Sequence, residues 1–426
     1  MGRHPLRITP FHVAGTVFLF VGLLLAAYHG LEKFGVVTRL TWTSWSHIHF
    51  VTIGGITQLL FGMLPQLTAH KLGRPIPSRW STLGAFGALN GGFLLVWYGR
   101  GWGHPWAFDL GLAVLWVLVA ALLGMLVWMV RHRDRAVDTT IGLYLVALFV
   151  FLWGITYAYG LYAHVWDVPG GWLGLREAHV HANAWGFLGL AAIGTLTDLF
   201  PRILGTQLYS QRLRTYTGWL LVAGIFPLIT GPWLGMGRSI TATGLLLYGA
   251  GFVLYLYNLL RTYQAAPSHN GIGTSVLAAQ FWLLGPAVFA PFVLFGIEWV
   301  PPAYIEDGAL HFFFMGWALP VALAGLVLFA RNLRGPRAQR PVSDGPDRSS
   351  NLPPVDVVPA AIPTALVWAW NLAVLIGGIA FIGQGQPWAE MLFGVGFTVL
   401  GVLWLYLLVQ VIRVRRTFRR GSRSVP

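Results

Sequence analysis

Apolar runs of about twenty residues, separated by short loops, leave this chain few ways to fold. Backbone groups in hydrocarbon must bond within their own segment, so such runs become transmembrane helices. Twelve spans are expected, at about 11–30, 47–69, 80–98, 107–130, 140–163, 179–201, 214–233, 240–261, 273–297, 309–331, 361–383 and 389–412. The chain is 56% hydrophobic and 10% charged, which leaves no stretch for a soluble domain. The predicted fold class is an all-α polytopic membrane protein. Arg3 and Arg7 precede the first run as they would a signal peptide. It is read as a span because the run near 143–162 holds the same place one repeat later.

That repeat has a fixed period. An offset of 132 residues separates His47 from His179 and His49 from His181, and a further 132 leads to His311 and Phe313. Gly54 and Gly186 share the offset, as do Gly62 and Gly194, while the third copy has Ala318 and Leu326 there. Each copy opens an apolar run. A regular period of this kind marks repeated structural units. Three four-helix modules follow, at about 1–135, 136–268 and 269–426, related by a pseudo-threefold axis within a single transmembrane domain. The third lacks its second histidine. Residues 334–358, rich in Pro, Arg, Ser and Asp, read as a flexible cytoplasmic loop.

The net charge of +14 resembles a nucleic-acid signal, but the cations lie between the apolar runs and in the tail, where they report topology. Basic loops at the N-terminus, 70–79, 131–138, 202–214, 331–360 and the C-terminal tail alternate with near-neutral or acidic ones. By the positive-inside rule both termini are cytoplasmic, and no nucleic-acid partner is expected. A bacterial or archaeal inner membrane fits this pattern. The tail arginines, Arg413 to Arg423, suit anionic headgroups, so membrane lipids are expected partners. The chain has no cysteine, which excludes C-x-x-C-H haem attachment, Cys-ligated iron–sulfur clusters and disulfides.

The chemistry is concentrated in the five repeat histidines, His47, His49, His179, His181 and His311. An ionisable side chain inside a bilayer is costly and is a functional candidate by default. The bland alternative is polar packing between helices, worth about 1 kcal/mol or less each; recurrence at equal intervals favours metal ligation. Residues i and i+2 on a helix lie roughly 200° apart, so His179 and His181 point into different clefts. In a three-module ring each cleft receives the first histidine of one module and the second of its neighbour. One chirality pairs His49 with His179 and His181 with His311, leaving His47 facing Phe313. The other pairs His47 with His181 and His49 with His311, leaving His179 alone. Neutral imidazoles facing in pairs suit bis-His haem iron. Arg176, one turn before His179, suits either a haem propionate or an interfacial anchor. Trp185, Phe312, Phe313, Phe314 and Trp317 crowd the same positions. The remaining histidines are weaker candidates. His29 and His164 close outer span ends, where solvation is expected, and His4, His70, His132 and His269 read as cytoplasmic and solvated. Glu298 joins Asp109 and Glu390 near the outer ends, and Asp198 lies near the inner end of span 6. No chain of polar groups crosses the membrane as a proton path.

The stretch His179-Val-His181, followed by Trp185-Gly186, Gly194 and Pro201, resembles the tenth helix of haem–copper oxidase subunit I, in the cbb-type and nitric-oxide-reductase-like branches. The resemblance implies a twelve-span, pseudo-threefold fold with two non-covalent b-type haems near the outer face. It also implies the first chirality, with His181 and His311 on a low-spin haem and His179, opposite His49, on a second. It further implies electron transfer or reaction with O2 or NO, a quinol or cytochrome c donor, and a second redox subunit. The departures concern copper. The double-His helix is span 6 rather than span 10, spans 3 and 7 carry no histidine, and no candidate redox tyrosine stands out. In outline the chain is also similar to NnrS-like haem membrane proteins, which implies a non-catalytic role in nitric oxide tolerance. A third reading is a transporter or scaffold with a His-lined polar cavity, since transporters also use internal repeats.

Overall fold

A computed structural model describes residues 6–33, 36–38, 42–163, 167–235, 237–295, 302–331, 364–383 and 386–421. His4, His164, Glu298 and the loop 334–358 lie outside the described residues. In chain order the helices are α1 (Pro10–Lys33), α2 (Thr43–His49), α3 (Gln58–Leu72), α4 (Arg79–Trp102), α5 (Pro105–Arg131), α6 (Thr139–Ala163), α7 (Gly171–Val180), α8 (Leu190–Ile203), α9 (Gln211–Trp233), α10 (Gly237–Gln264), α11 (Gly271–Phe281), α12 (Leu284–Phe295), α13 (Pro302–His311), α14 (Leu319–Arg331), α15 (Thr364–Ile382) and α16 (Pro387–Gly421). Three π-helical segments, Phe50–Thr57, His181–Gly189 and Phe312–Ala318, join α2 to α3, α7 to α8 and α13 to α14. No strand occurs among the described residues.

Ten helices among the described residues are long and apolar enough to cross a membrane. The protein is therefore a multi-pass helical chain in composition and form. Two expected spans fall outside the ten. α4 has Arg79 and Arg100 at its ends and a glycine-rich middle, and residues Met391–Tyr406 of α16 form a shorter apolar helix.

Local sequence explains several boundaries. Ser78, Ser210 and Asn270 accept hydrogen bonds from the N–H groups of Ser81, Leu213 and Gly273, which caps α4, α9 and α11. Asp138 Oδ1 accepts from Ile141 N at 3.1 Å at the start of α6. Gly103 ends α4 at φ +70°, a left-handed position that favours glycine, and Pro105 starts α5 two residues later.

Two compact units divide the chain. Of the described residues, the first holds 6–11 and 60–267, and the second holds 12–59, 268–331 and 364–421. In the first unit α9 packs along α10 and α4 along α5, while α6 touches α7, the second π segment, α8 and α9. Gln66 anchors the N-terminal stretch there: it accepts from Arg7 N at 2.7 Å and donates to the carbonyls of Arg7 and Gly62. In the second unit α15 packs along α16, and α13 and the third π segment lie against α15.

The first unit also contains a closed ion cluster that corrects the sequence reading of two cations. Lys71 and Arg214 were expected in basic loops. Instead the Lys71 ammonium lies 2.6 Å from both Asp138 Oδ2 and Asp198 Oδ2, and Arg214 lies 2.8 Å from Asp138 and 3.1 Å from Asp198. Arg214 also donates to the Thr140 hydroxyl. Two cations and two anions balance, which is how charges survive burial. Burial raises the Asp138 pKa, but Lys71, Arg214 and the Ile141 N–H outweigh it and hold the carboxyl below its ordinary value. A group whose folded pKa is depressed stabilises the fold above its unfolded value and loses that contribution as pH falls through the folded one. Thermal stability in detergent should therefore be level above about pH 4, the unfolded carboxyl value, and fall below it. Asp138→Asn should flatten that acid limb; an unchanged limb would assign the acid loss elsewhere.

Candidate functional site

The three π segments carry the repeat into three dimensions. Each begins at or directly after a repeat histidine: Phe50 follows His49, His181 opens the second, and Phe312 follows His311. A π turn widens the helix and breaks the i→i−4 ladder, and such turns often occur at functional sites. The apolar pattern could not reveal them, because each is a segment of 7 to 9 residues inside a longer apolar run.

In the first unit, His179 Nδ1 lies 2.9 Å from the Gly154 carbonyl. A carbonyl only accepts, so Nδ1 carries the proton and Nε2 the lone pair. Asn183 Nδ2 donates to the His179 carbonyl at 2.8 Å and stands 3.1 Å from Nδ1 and 3.5 Å from Nε2. Gly154 permits this arrangement, since a Cβ there would lie 2.3 Å from Asn183 Oδ1. His181 is half-buried. Its Nδ1 is buried, and the ring meets the Glu177 backbone carbonyl one turn back. Arg176 is half-buried on α7. Tyr248 donates to the Trp185 carbonyl at 2.9 Å, holding the second π segment against α10.

In the second unit, His49 stacks on Trp45 at 4.0 Å, with Nδ1 2.8 Å from the Trp45 carbonyl. By the same argument its lone pair is on Nε2. His49 and His179 therefore share a tautomer, in which a backbone carbonyl fixes Nδ1–H and the lone pair lies on Nε2. His311 is buried in the opposite tautomer. Its Nε2 donates to the Val374 carbonyl at 3.0 Å, and its buried Nδ1 has no partner. His47 is buried, and its ring lies 5.9 Å from Phe397, which is also 5.2 Å from His311. Phe397 thus brings His47 and His311 around one ring, while His49 turns to Trp45. Phe313 is buried against Phe314 and Trp317.

No protein-family model matches the chain, and no curated protein is similar to it. Function must therefore be argued from the residues themselves. Among the described residues, no three His, Cys, Asp or Glu side chains converge as a metal cage.

Several residues around the histidines escaped the sequence reading. Asn183 was legible as the i+4 neighbour of His179 on the same helix face. Val374, Gly377 and Phe397 gave no local signal, because they reach His311 only through tertiary packing. Two histidines also differ from expectation. His29, expected to be solvated, has Nδ1 3.0 Å from Glu32 Oε2, and His70 is buried rather than exposed. The structure makes Gly377 a sharp test. A Cβ there would sit 2.5 Å from His311 Cε1 and Nε2. Gly377→Ala should displace the imidazole from Val374 and cost about 1–3 kcal/mol, as for overpacking. Thermal melting in detergent checks this, with Gly249→Ala, where a Cβ meets nothing within 4 Å, as the control.

Proposed function

We propose that the chain is an integral membrane b-type haem protein similar in plan to haem–copper oxidase subunit I. In this reading twelve spans form three modules, with both termini in the cytoplasm of a bacterial or archaeal cell. His49, His179, His181 and His311 are the axial-ligand candidates for two haems, and Arg176 is the candidate propionate partner. Bound haem would supply one-electron chemistry and a coordination site for a small gas such as O2 or NO. The chain's own part is to present neutral imidazoles, fix their tautomers and exclude water.

The observation that carries the reading is the coincidence of the repeat histidines with three π-helical segments. Two further features support fit to haem. His49 and His179 have Nδ1 fixed by a backbone carbonyl, which places the lone pair on Nε2. His311 keeps a buried Nδ1 without a partner, and such an orphan in a native interior calls for an explanation. Ligation by His311 through Nε2 requires its bond to Val374 to open, whereas ligation through Nδ1 does not.

Spans 3 and 7 carry no histidine for a copper site like that family's. A non-catalytic gas-binding role, as in nitric oxide tolerance, is therefore the second reading, and copper has no assigned ligands. Protein purified from haem-replete cells should give a pyridine haemochrome of b type. Its absence would leave the transporter or scaffold reading. CO or NO binding to the reduced protein, and turnover with quinol or cytochrome c, would separate catalysis from simple gas binding.

A further inference from the structure

The first unit carries a cavity that none of the repeat histidines lines. The cavity, of about 420 Å³, opens between the N-terminal stretch, α3, α4 and α5. Arg7 and Arg79 line it beside Ser81 and Thr82, above an apolar floor that includes Phe61 and Leu122. Both arginines are exposed, and α4 begins there, so the positive end of a 24-residue helix faces the same space. Ser81, Ala85, Leu118 and Ala121 also line a second space of about 540 Å³, which runs along α4 and α5 past Gly84, Ala88 and Val117. Small residues in steps of four (Gly84 and Ala88 on α4, Ala113, Val117 and Ala121 on α5) keep this groove open. A Cβ on Gly84 would meet nothing within 4 Å.

We propose that the cavity and groove together bind one anionic phospholipid, its phosphate between Arg7 and Arg79 and an acyl chain along the groove. A basic mouth joined to an apolar channel of small residues matches the two halves of such a molecule. Cationic pockets between transmembrane helices recognise anionic headgroups in this way. The proposal does not depend on haem.

The test uses the full chain in mild detergent. Anionic phospholipid should co-purify at near-stoichiometric level. Arg7→Gln and Arg79→Gln should each lower its retention by about fivefold, the effect expected of one surface cation. Gly84→Leu should lower it by blocking the chain groove while leaving both charges in place. Melting of lipid-stripped protein verifies that each variant folds, and the headgroup and groove variants test the site independently. Added phosphatidylglycerol should raise the melting temperature of the parent. Phosphatidylcholine with the same chains, or inorganic phosphate, should not. Parental lipid retention in a folded variant of either kind would overturn the proposal. So would equal stabilisation by phosphatidylcholine, or by phosphate alone.

Discussion

His181→Ala is expected to abolish the low-spin haem signal in a reduced-minus-oxidised difference spectrum, and His311→Ala to do the same. His47→Ala should leave it. The expectation combines the resemblance of His179-Val-His181 to an oxidase helix with the observed state of the rings. His311 retains a buried Nδ1 without a hydrogen bond, so an iron atom would satisfy a group that is otherwise costly to bury. His179→Ala should instead alter the second haem, visible as loss of CO binding to the reduced protein with the low-spin bands retained. Asn183→Ala probes the neighbouring layer. Removing an outer partner of a metal-ligating histidine commonly costs 10–100-fold in affinity, so haem occupancy should fall while the fold survives. If His47→Ala removes the low-spin signal and His311→Ala spares it, the implied pairing is wrong. The shared contact of His47 and His311 with Phe397 would then be the place to look.

The helices were legible because length and hydropathy alone distinguish a span from a loop. Expected and observed ends agree to within a few residues at Thr139–Ala163 and Gln211–Trp233. The offset of 132 residues was legible because it needs only counting. Three kinds of feature were not. The π turns leave no trace in the pattern, because each is a short segment inside a longer apolar run. The tautomers of His49 and His179 depend on carbonyls, and only that of Trp45 lies within one turn; Gly154 is 25 residues away. His311 looked equivalent to His179 by position, yet its Nε2 bonds to Val374, 63 residues further on. Sequence position could place an imidazole on a helix but could not say which nitrogen it offers.

The ion cluster shows the same limit and yields the second large effect. Lys71 and Asp198 are 127 residues apart, so Lys71 read as a topological cation and Asp198 as a stray acid. In the fold their side chains retain 11% and 13% exposure and contact at 2.6 Å, and Arg214 and Asp138 close the ring. Removing one member leaves an uncompensated charge in a site shielded from water. Lys71→Met and Asp198→Asn are each expected to destabilise the protein by about 3–5 kcal/mol, the cost of breaking a buried pair. Exposed pairs contribute about 1 kcal/mol or less, so the magnitude distinguishes the two cases. The double variant Lys71→Met/Asp198→Asn should recover much of the loss, since both charges then leave together and the remaining Arg214–Asp138 pair is balanced. Denaturant unfolding in mixed micelles of the two single variants and the double completes the cycle. Single-variant losses below about 1 kcal/mol, or strict additivity, would show that water screens the cluster. The four side chains would then act as separate surface charges at the ends of α3, α6, α8 and α9, and the positive-inside count could again include Lys71 and Arg214.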